Sequence, residues 1–175
     1  YAHAGATVIT SNTFSCNSWV LEKFGIQDQK AQILKEGIRL AKEVAVQHKI
    51  QCAVSFGPSG LLIEPLGPLA KSDVQNEYAD LTKIVTDLAP DARPDFIILE
   101  TFSSIPELDC AIAGIRSVNA TIPIIASMTV SSIDSDFLSD LAKKITAKKV
   151  QWLGLNCSEG PNGLLEALKV LRPLT

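Results

Sequence analysis

The chain has 175 residues, of which 46% are hydrophobic and 20% charged, with a formal net charge of −3 at pH 7. These are ordinary proportions for one soluble globular domain with a buried core. No segment approaches the roughly 20 uninterrupted apolar residues of a membrane span, and the scattered Lys and Arg leave no electrostatic footprint for nucleic acid. We therefore expect neither a membrane nor a nucleic acid among its partners.

The N-terminus and the cysteines bear on where the protein works. Residues 1–5 have no basic stretch leading into an apolar core, so we do not expect them to be a signal peptide. The chain has no initiator Met, so we expect it to start inside a longer protein. Its four cysteines, Cys16, Cys52, Cys110 and Cys157, are widely spaced and include no Cys-x-x-Cys pair. Since we expect no secretory signal, this pattern predicts reduced thiols in a cytoplasmic protein.

Short apolar runs rich in Val and Ile recur along the chain. Each run is apolar on consecutive positions, as expected for strands that are covered on both faces in a parallel sheet. The runs are residues 6–10, 52–56, 96–99, 122–126 and 150–155. They predict five parallel strands.

Between these runs, apolar residues recur at helical spacing and predict buried helix faces. The faces are Leu34, Ile38, Ala41 and Ala45; Tyr78, Leu81, Val85 and Leu88; Phe137, Leu141 and Ile145; and Leu164, Leu168 and Leu171. Ser104 and Glu107 have the spacing of a capping box, and Pro161 suits a first helical position. Trp152, inside the last run, is predicted to be a packing residue. Strand and helix thus alternate, which implies right-handed crossovers and a parallel sheet.

Two architectures fit this alternation, an open doubly wound sheet and a section of an eight-stranded barrel. No strand is followed by a Gly-rich nucleotide-binding motif, which leaves the open sheet without support. Polar residues follow every run, namely residues 11–13, 57–59, 100–101, 127–129 and 156–157. In a barrel these ends meet on the face where active sites are built. The predicted fold is therefore α/β, a partial (β/α)8 TIM barrel, because a complete one needs about 250 residues.

The segment from Gly57 to about Asp73 is long for a strand-to-helix connection. Long loops in compact domains are usually lids or other functional segments. The alternative is an insertion packed against the rim of the barrel, and the sequence leaves both readings open.

Four segments carry a resemblance to a known family. They are residues 4–14 (AGATVITSNTF), 55–67 (SFGPSG followed by EPLG), 98–102 (ILETF) and 153–161 (LGLNCSEGP). Together they resemble the homocysteine S-methyltransferase family, and most of all the first domain of its cobalamin-dependent methionine synthases. The resemblance implies that residues 1–175 are an incomplete homocysteine-binding barrel domain, lacking the first strand and the last strand–helix units.

The activity implied by this resemblance is zinc-dependent transfer of a methyl group to the thiolate of homocysteine, giving methionine, as part of a larger protein. The homocysteine thiol, with a pKa near the value of about 8.5 for Cys, is mostly protonated at neutral pH. Zinc binds such a sulfur as thiolate, using three protein ligands and one open position. The resemblance makes Cys157 one ligand and places the other two in a Gly-Gly-Cys-Cys-Gly motif that this chain does not contain.

The resemblance also implies the substrate contacts and the partners. Glu100 is expected to hold the α-amino group of homocysteine by a charge-assisted hydrogen bond; the alternative is a rim carboxylate that is solvated or salt-bridged. Candidates for neutral hydrogen bonds to the substrate or to the zinc ligand, or else for strand-end turn residues, are Asn12, Thr13, Ser127 and Asn156. Cys16 follows the first strand end and either lies near the site or is buried. The methyl donor is expected to be methyltetrahydrofolate or methylcobalamin, with folate and cobalamin bound through other domains. No residue is assigned as a certain catalytic group.

A second hypothesis is a catalytically inactive barrel fragment that acts as a scaffold or binding module. Relatives commonly have a longer, Gly- and Thr-rich loop after the equivalent of Ser127-Met128-Thr129. Here residues 130–134 lead straight into the next helix, which favours this alternative. A third, an unrelated barrel enzyme with Glu100 as general base, leaves the Asn156-Cys157 block unexplained.

Overall fold

Parallel strands with helical connections dominate the computed structural model of the protein, which describes residues 1–130, 134–148, 150–158 and 160–174. The strands are β1 (Val8–Thr10), β2 (Gln51–Phe56), β3 (Phe96–Phe102), β4 (Ile124–Met128) and β5 (Trp152–Leu155). They form one sheet in the order β1-β2-β3-β4-β5, and every neighbouring pair is parallel. Strand order without a reversal is that of a barrel section, whereas a doubly wound sheet reverses its order at a switch point. The sheet is open, so the predicted partial barrel is confirmed.

Helices follow the strands in turn. They are α1 (Ser18–Glu22), α2 (Lys30–His48), α3 (Lys71–Thr86), α4 (Ile105–Val118), α5 (Ser135–Thr146) and α6 (Pro161–Leu171). Side chains of Asn17, Ser104 and Asp134 accept backbone N–H bonds at the starts of α1, α4 and α5. Pro161 is the first residue of α6, as predicted.

The core lies between the sheet and its helices. Alternate strand residues such as Val54, Leu99 and Ile124 are fully buried on the helix-facing side. The predicted faces of α2 and α3 are buried, with Leu88 just beyond α3 and partly buried. Two other assignments were wrong. Phe137 is 42% exposed and Leu168 is 44% exposed.

The buried stripe of α5 explains the first of these corrections. It consists of Leu138, Leu141, Ala142 and Ile145, which are spaced at i, i+3, i+4 and i+7. Phe137 precedes this stripe by one residue and is therefore rotated by about 100° from Leu138. On α6 the buried residues are Ala167 and Leu171 instead of Leu168.

Trp152 is the first residue of β5, and its surroundings differ from those predicted. Its ring lies 6.0 Å from the ring of Phe96, yet the residue is 53% exposed. Trp152 pairs with Ile125, and alternation places it on the face of the sheet away from the helices. The prediction of a packing residue therefore holds on one side of the ring only, because this face of the open sheet is uncovered there.

The connection between β2 and α3 is fixed at its base. The Tyr78 hydroxyl donates to the Gly57 carbonyl at 2.6 Å. The backbone N–H and the hydroxyl of Ser59 donate to one Glu107 oxygen at 2.7 and 2.6 Å. Only half of the predicted capping box therefore forms: the Ser104 hydroxyl accepts from the Glu107 N–H, while the Glu107 carboxylate holds the loop.

The loop after β4 is the one predicted to be shorter than in relatives. This shortening at 130–134 falls mostly on residues 131–133, which lie outside the described residues.

Gly114 sets the distance between α3 and α4. A Cβ atom at this position would lie 2.2 Å from the backbone oxygen of Gln75. We expect Gly114→Ala to lower the free energy of unfolding by about 1–3 kcal/mol, because overpacking forces the two helix backbones apart. Chemical denaturation measures this loss. Ala113→Ser, on the exposed neighbouring position, is the control, expected within about 0.5 kcal/mol of the parent. Equal stability of the two variants would contradict the close approach.

Candidate functional site

The carboxyl ends of β2 to β5 bring several polar side chains onto one rim. Glu100 pairs with Ser127 across β3 and β4, and Ser127 pairs with Gly154 across β4 and β5. Asn156 follows two residues after Gly154 and therefore lies on the same face of the sheet. The predicted site residues Glu100, Ser127 and Asn156 thus occupy neighbouring positions at the strand ends.

Glu100 is a half-buried carboxylate at this rim. The Ser55 hydroxyl, from the inner face of β2, donates a hydrogen bond to Glu100 Oε1. Among the described residues, no Lys, Arg or His forms an ion pair with Glu100. A carboxylate that is partly removed from water without a cationic partner suits an ammonium ligand, which would satisfy its charge.

Thr13 and Asn12 are positioned differently from each other. Thr13 is buried, and its hydroxyl donates to the Ser55 carbonyl at 2.8 Å and shares a 2.7 Å hydrogen bond with Ser11. Its methyl group packs on α2, where a Cβ at Gly37 would lie 2.5 Å away. Asn12 is exposed at the end of β1. Thr13 therefore supports the strand that carries Ser55, and Asn12 presents a polar side chain to solvent.

Asn156 is the most connected side chain of the rim. Its Oδ1 accepts from the Thr101 N–H at 3.1 Å and from the Ser127 hydroxyl at 2.9 Å. Its Nδ2 donates to the Thr101 hydroxyl at 2.7 Å and to Cys157 Sγ at 3.5 Å. One carboxamide thereby joins the ends of β3, β4 and β5.

Two non-glycine residues beside this carboxamide have left-handed backbone conformations. Thr101 has φ 64°, and Cys157 has φ 51°. The pairing of β3 with β4 shifts register between Glu100 and Phe102, so Thr101 is the extra residue of a bulge. Such conformations cost about 1–2 kcal/mol each and cluster at functional sites.

Cys157 is exposed, and the other three cysteines are buried and free. Its carbonyl accepts from the Thr129 hydroxyl at 3.0 Å, which holds the backbone at the Cys157 carbonyl in place. A thiol is a suitable zinc ligand, but the described residues contain no group of three His, Cys, Asp or Glu side chains that could hold a metal. They therefore do not form a zinc site by themselves.

The cysteines should differ strongly in reactivity. Burial raises the pKa of Cys16 and of Cys52 to about 11, so their reactive thiolate forms are about 100-fold scarcer at pH 8 than for an ordinary thiol. We expect a charged aromatic disulfide reagent at pH 8 to label one thiol per native chain rapidly, and Cys157→Ser to abolish this phase. Unfolding in denaturant should release all four. Rapid labelling of two thiols in the native protein would contradict the burial of at least one of Cys16, Cys52 and Cys110.

A groove of about 830 Å³ lies beside the rim, between the β2–α3 loop, the start of α4, and α5. Its walls include the exposed side chains of Leu61, Leu62, Leu66 and Phe137. The groove is separate from the cluster formed by Glu100, Ser127 and Asn156, since none of these three residues lines it.

Comparison with known sequences decides the family. Residues 1–175 match the homocysteine S-methyltransferase family. The chain belongs to that family. It is 29% identical to a methionine synthase of Mycobacterium tuberculosis over 184 aligned positions, and 28% identical to one of Mycobacterium leprae over the same length. Each alignment covers 98% of this chain and 15% of the mycobacterial protein, so the chain spans about one-seventh of the length of these relatives.

Solved structures agree on the fold. A homocysteine methyltransferase of Escherichia coli, MmuM, in its apo form superposes with a TM-score of 0.69 at 17% identity. The superposition covers 99% of this chain and 64% of MmuM. The oxidised form of MmuM gives 0.56 at 13% identity, covering 97% and 80%. Among the described residues, no helix is long and apolar enough to cross a membrane.

Sequence reasoning missed Ser55 and the role of Thr101. Ser55 is the one polar residue inside the apolar run 52–56, and that interruption was the available signal. No sequence pattern indicated that Thr101 adopts a positive φ, since Thr is β-branched and rarely does so.

Proposed function

We propose that this chain binds L-homocysteine at the rim formed by β2 to β5 and presents its sulfur for methylation, as part of a methionine-forming methyltransferase. The observation that carries the proposal is the placement of Glu100, which has no cationic partner among the described residues, on the same rim as the exposed Cys157. Family membership supports the reaction class. The anionic carboxylate suits the substrate ammonium, and the thiol suits the metal that such a reaction uses.

The residues of this chain divide the work of binding. Glu100 pairs with the α-ammonium group, and Ser55 fixes the carboxylate by its hydrogen bond. Ser127 and Asn12 are proposed as neutral contacts at the edge of the site, and Thr13 supports Ser55 through its carbonyl. In the overall reaction the S–H proton is lost, a C–S bond forms, and the bond between the methyl group and its donor breaks.

Zinc dependence is part of this proposal. Zinc, when bound, supplies a Lewis acid that keeps the substrate sulfur as thiolate. Cys157 is one candidate ligand, and at least one of the three protein donors must come from outside the described residues, which contain no group of three. Methyltetrahydrofolate or methylcobalamin is the proposed donor, bound by other parts of a longer protein. Free cysteines throughout the described chain are compatible with the reducing cytoplasm, which we propose as the location.

Calorimetric titration of the complete protein with L-homocysteine tests the proposal, together with methionine formation from methylcobalamin or methyltetrahydrofolate. We expect saturable binding of L-homocysteine and much weaker binding of L-homoserine, in which a hydroxyl replaces the thiol. Equal affinity for the two ligands would show that the protein does not recognise the sulfur atom. Absence of binding by either would contradict the proposed site.

An inactive scaffold or binding module is the second candidate function. The observation that favours it is that the described residues contain no group of three His, Cys, Asp or Glu side chains that could hold a metal. A complete protein that contains no zinc and forms no methionine, yet is folded, would support this candidate.

A further inference from the structure

We propose that Asn156 is a positioning residue, whose carboxamide holds Thr101 in its left-handed conformation and thereby aims Glu100 and Cys157 at one site. The effect on ligand binding rests on the proposed function, since L-homocysteine is the ligand concerned. The clamp, by which we mean the hydrogen bonds from Asn156 to Thr101, is a property of the strand ends and is testable without the ligand.

Asn156 has no hydrogen-bonding capacity left for a substrate. A carboxamide has two N–H donors and two acceptor lone pairs. Oδ1 accepts from the Thr101 N–H and the Ser127 hydroxyl, and Nδ2 donates to the Thr101 hydroxyl and to Cys157 Sγ. All four positions are occupied by this chain, so Asn156 acts through its neighbours.

Thr101 has a backbone conformation that needs support from its surroundings. A β-branched residue with a positive φ is a genuine outlier and persists only where the surroundings hold it. Two of the four Asn156 hydrogen bonds go to Thr101, one to its backbone and one to its side chain. Thr101 directly follows Glu100 in the β3 bulge. Relaxation of Thr101 to a negative φ would rotate the peptide that follows Glu100 and turn the carboxylate away from its present direction.

The ends of β4 and β5 also accommodate the Asn156 carboxamide. A Cβ at Gly154 would lie 3.2 Å from the Ser127 hydroxyl oxygen, closer than an ordinary contact. Gly154 therefore leaves room for the Ser127 hydroxyl beside Asn156 Oδ1. On the other side, Cys157 itself has a left-handed backbone and accepts from Nδ2. The Glu100 carboxylate and the Cys157 thiol, the two functional groups of the proposed site, thus lie on either side of the clamp.

The clamp predicts a specific rescue. In Asn156→Ala, the cost of the left-handed Thr101 is no longer offset by hydrogen bonds. Adding Thr101→Gly removes that cost, because glycine adopts positive φ readily. We expect Asn156→Ala to raise the Kd for L-homocysteine about tenfold, and the double variant to return to within about threefold of the parent. The unfolding midpoint should fall in the single variant and recover in part in the double variant.

Asn119→Ala is the matched control. The Asn119 Oδ1 accepts from the N–H groups of Thr121 and Ile122 and from the Thr121 hydroxyl. This turn lies at the opposite end of β4, so its loss should lower the unfolding midpoint without changing the Kd for L-homocysteine. Calorimetric titration and thermal unfolding of the four complete proteins, parent included, give both quantities.

Each outcome decides the matter. Recovery of both Kd and midpoint in Asn156→Ala/Thr101→Gly supports the clamp, and recovery of only one of the two overturns it. A Kd that stays as weak as in Asn156→Ala indicates direct contact between Asn156 and the substrate, and overturns the inference even if the midpoint recovers. If the parent protein binds no L-homocysteine, the proposed function fails. In that case the midpoint alone decides whether Asn156 holds Thr101: recovery supports the clamp, and no recovery overturns it.

Discussion

Glu100→Gln is expected to weaken the binding of L-homocysteine by about 100-fold, because losing one member of a hydrogen-bonded charge pair costs about 2–5 kcal/mol. Gln retains the size of the side chain and an oxygen that accepts from Ser55, so the rim keeps its shape. What disappears is the negative charge that we propose faces the substrate ammonium. Calorimetric titration of the complete protein measures the change in Kd.

Glu43→Gln is the control for this experiment. Glu43 is an exposed carboxylate on α2 that pairs with Arg39, so its loss alters the net charge by the same amount without touching the rim. We expect this control to bind L-homocysteine as the parent does. 4-Mercaptobutanoate is homocysteine without its amino group. Its affinity for the parent and for Glu100→Gln should differ far less than that of L-homocysteine. A Glu100→Gln protein with parental affinity would make Glu100 a solvated rim carboxylate.

Cys157→Ala is expected to abolish methionine formation and to lower the zinc content of the complete protein together. We expect a loss of at least about 100-fold in activity, since even an outer partner of a metal ligand is worth about 10–100-fold. Cys157 is the one exposed thiol among the described residues and lies on the same rim as Glu100. Atomic absorption measures the zinc, and a coupled assay measures the methionine.

Cys110→Ala is the matched control for that substitution. Cys110 is buried in α4, and burial raises the pKa of its thiol, so it is a poor metal ligand. Its replacement should cost some stability but leave zinc content and turnover unchanged. If Cys157→Ala retains both zinc and activity, Cys157 is not a ligand, and the resemblance of residues 153–161 to the family does not extend to metal binding. If Cys157→Ala instead retains zinc but loses activity, the thiol is needed for methyl transfer without being a zinc ligand.

The fold was largely predictable, because parallel strands covered on both faces leave a direct trace in the sequence. The runs at residues 52–56 and 96–99 became β2 and β3 with shifts of only a few residues at their ends. Helix faces were predictable where burial is deep, as for Leu34 and Ile38. Prediction was weaker for α5 and α6, where a short helix offers two adjacent apolar stripes and only packing selects one of them.

At the rim, too, some features were predictable from the sequence and others were not. Family motifs singled out Glu100, Asn156 and Cys157, because chemistry constrains the residue types at strand ends. They did not separate substrate contacts from supporting residues. Asn156 and Thr13 have polar side chains suited to a ligand, but the folded chain uses their hydrogen bonds internally.

The sequence by itself determined the strand and helix alternation, the family and the identity of the rim residues, since periodicity and residue type are local properties. Tertiary structure alone decided which polar groups meet. Ser55 reaches Glu100 from another strand, and Asn156 reaches Thr101 across β4, over sequence separations that no local pattern encodes. The left-handed Thr101 is decided in the same way, because local preference opposes it and distant hydrogen bonds hold it.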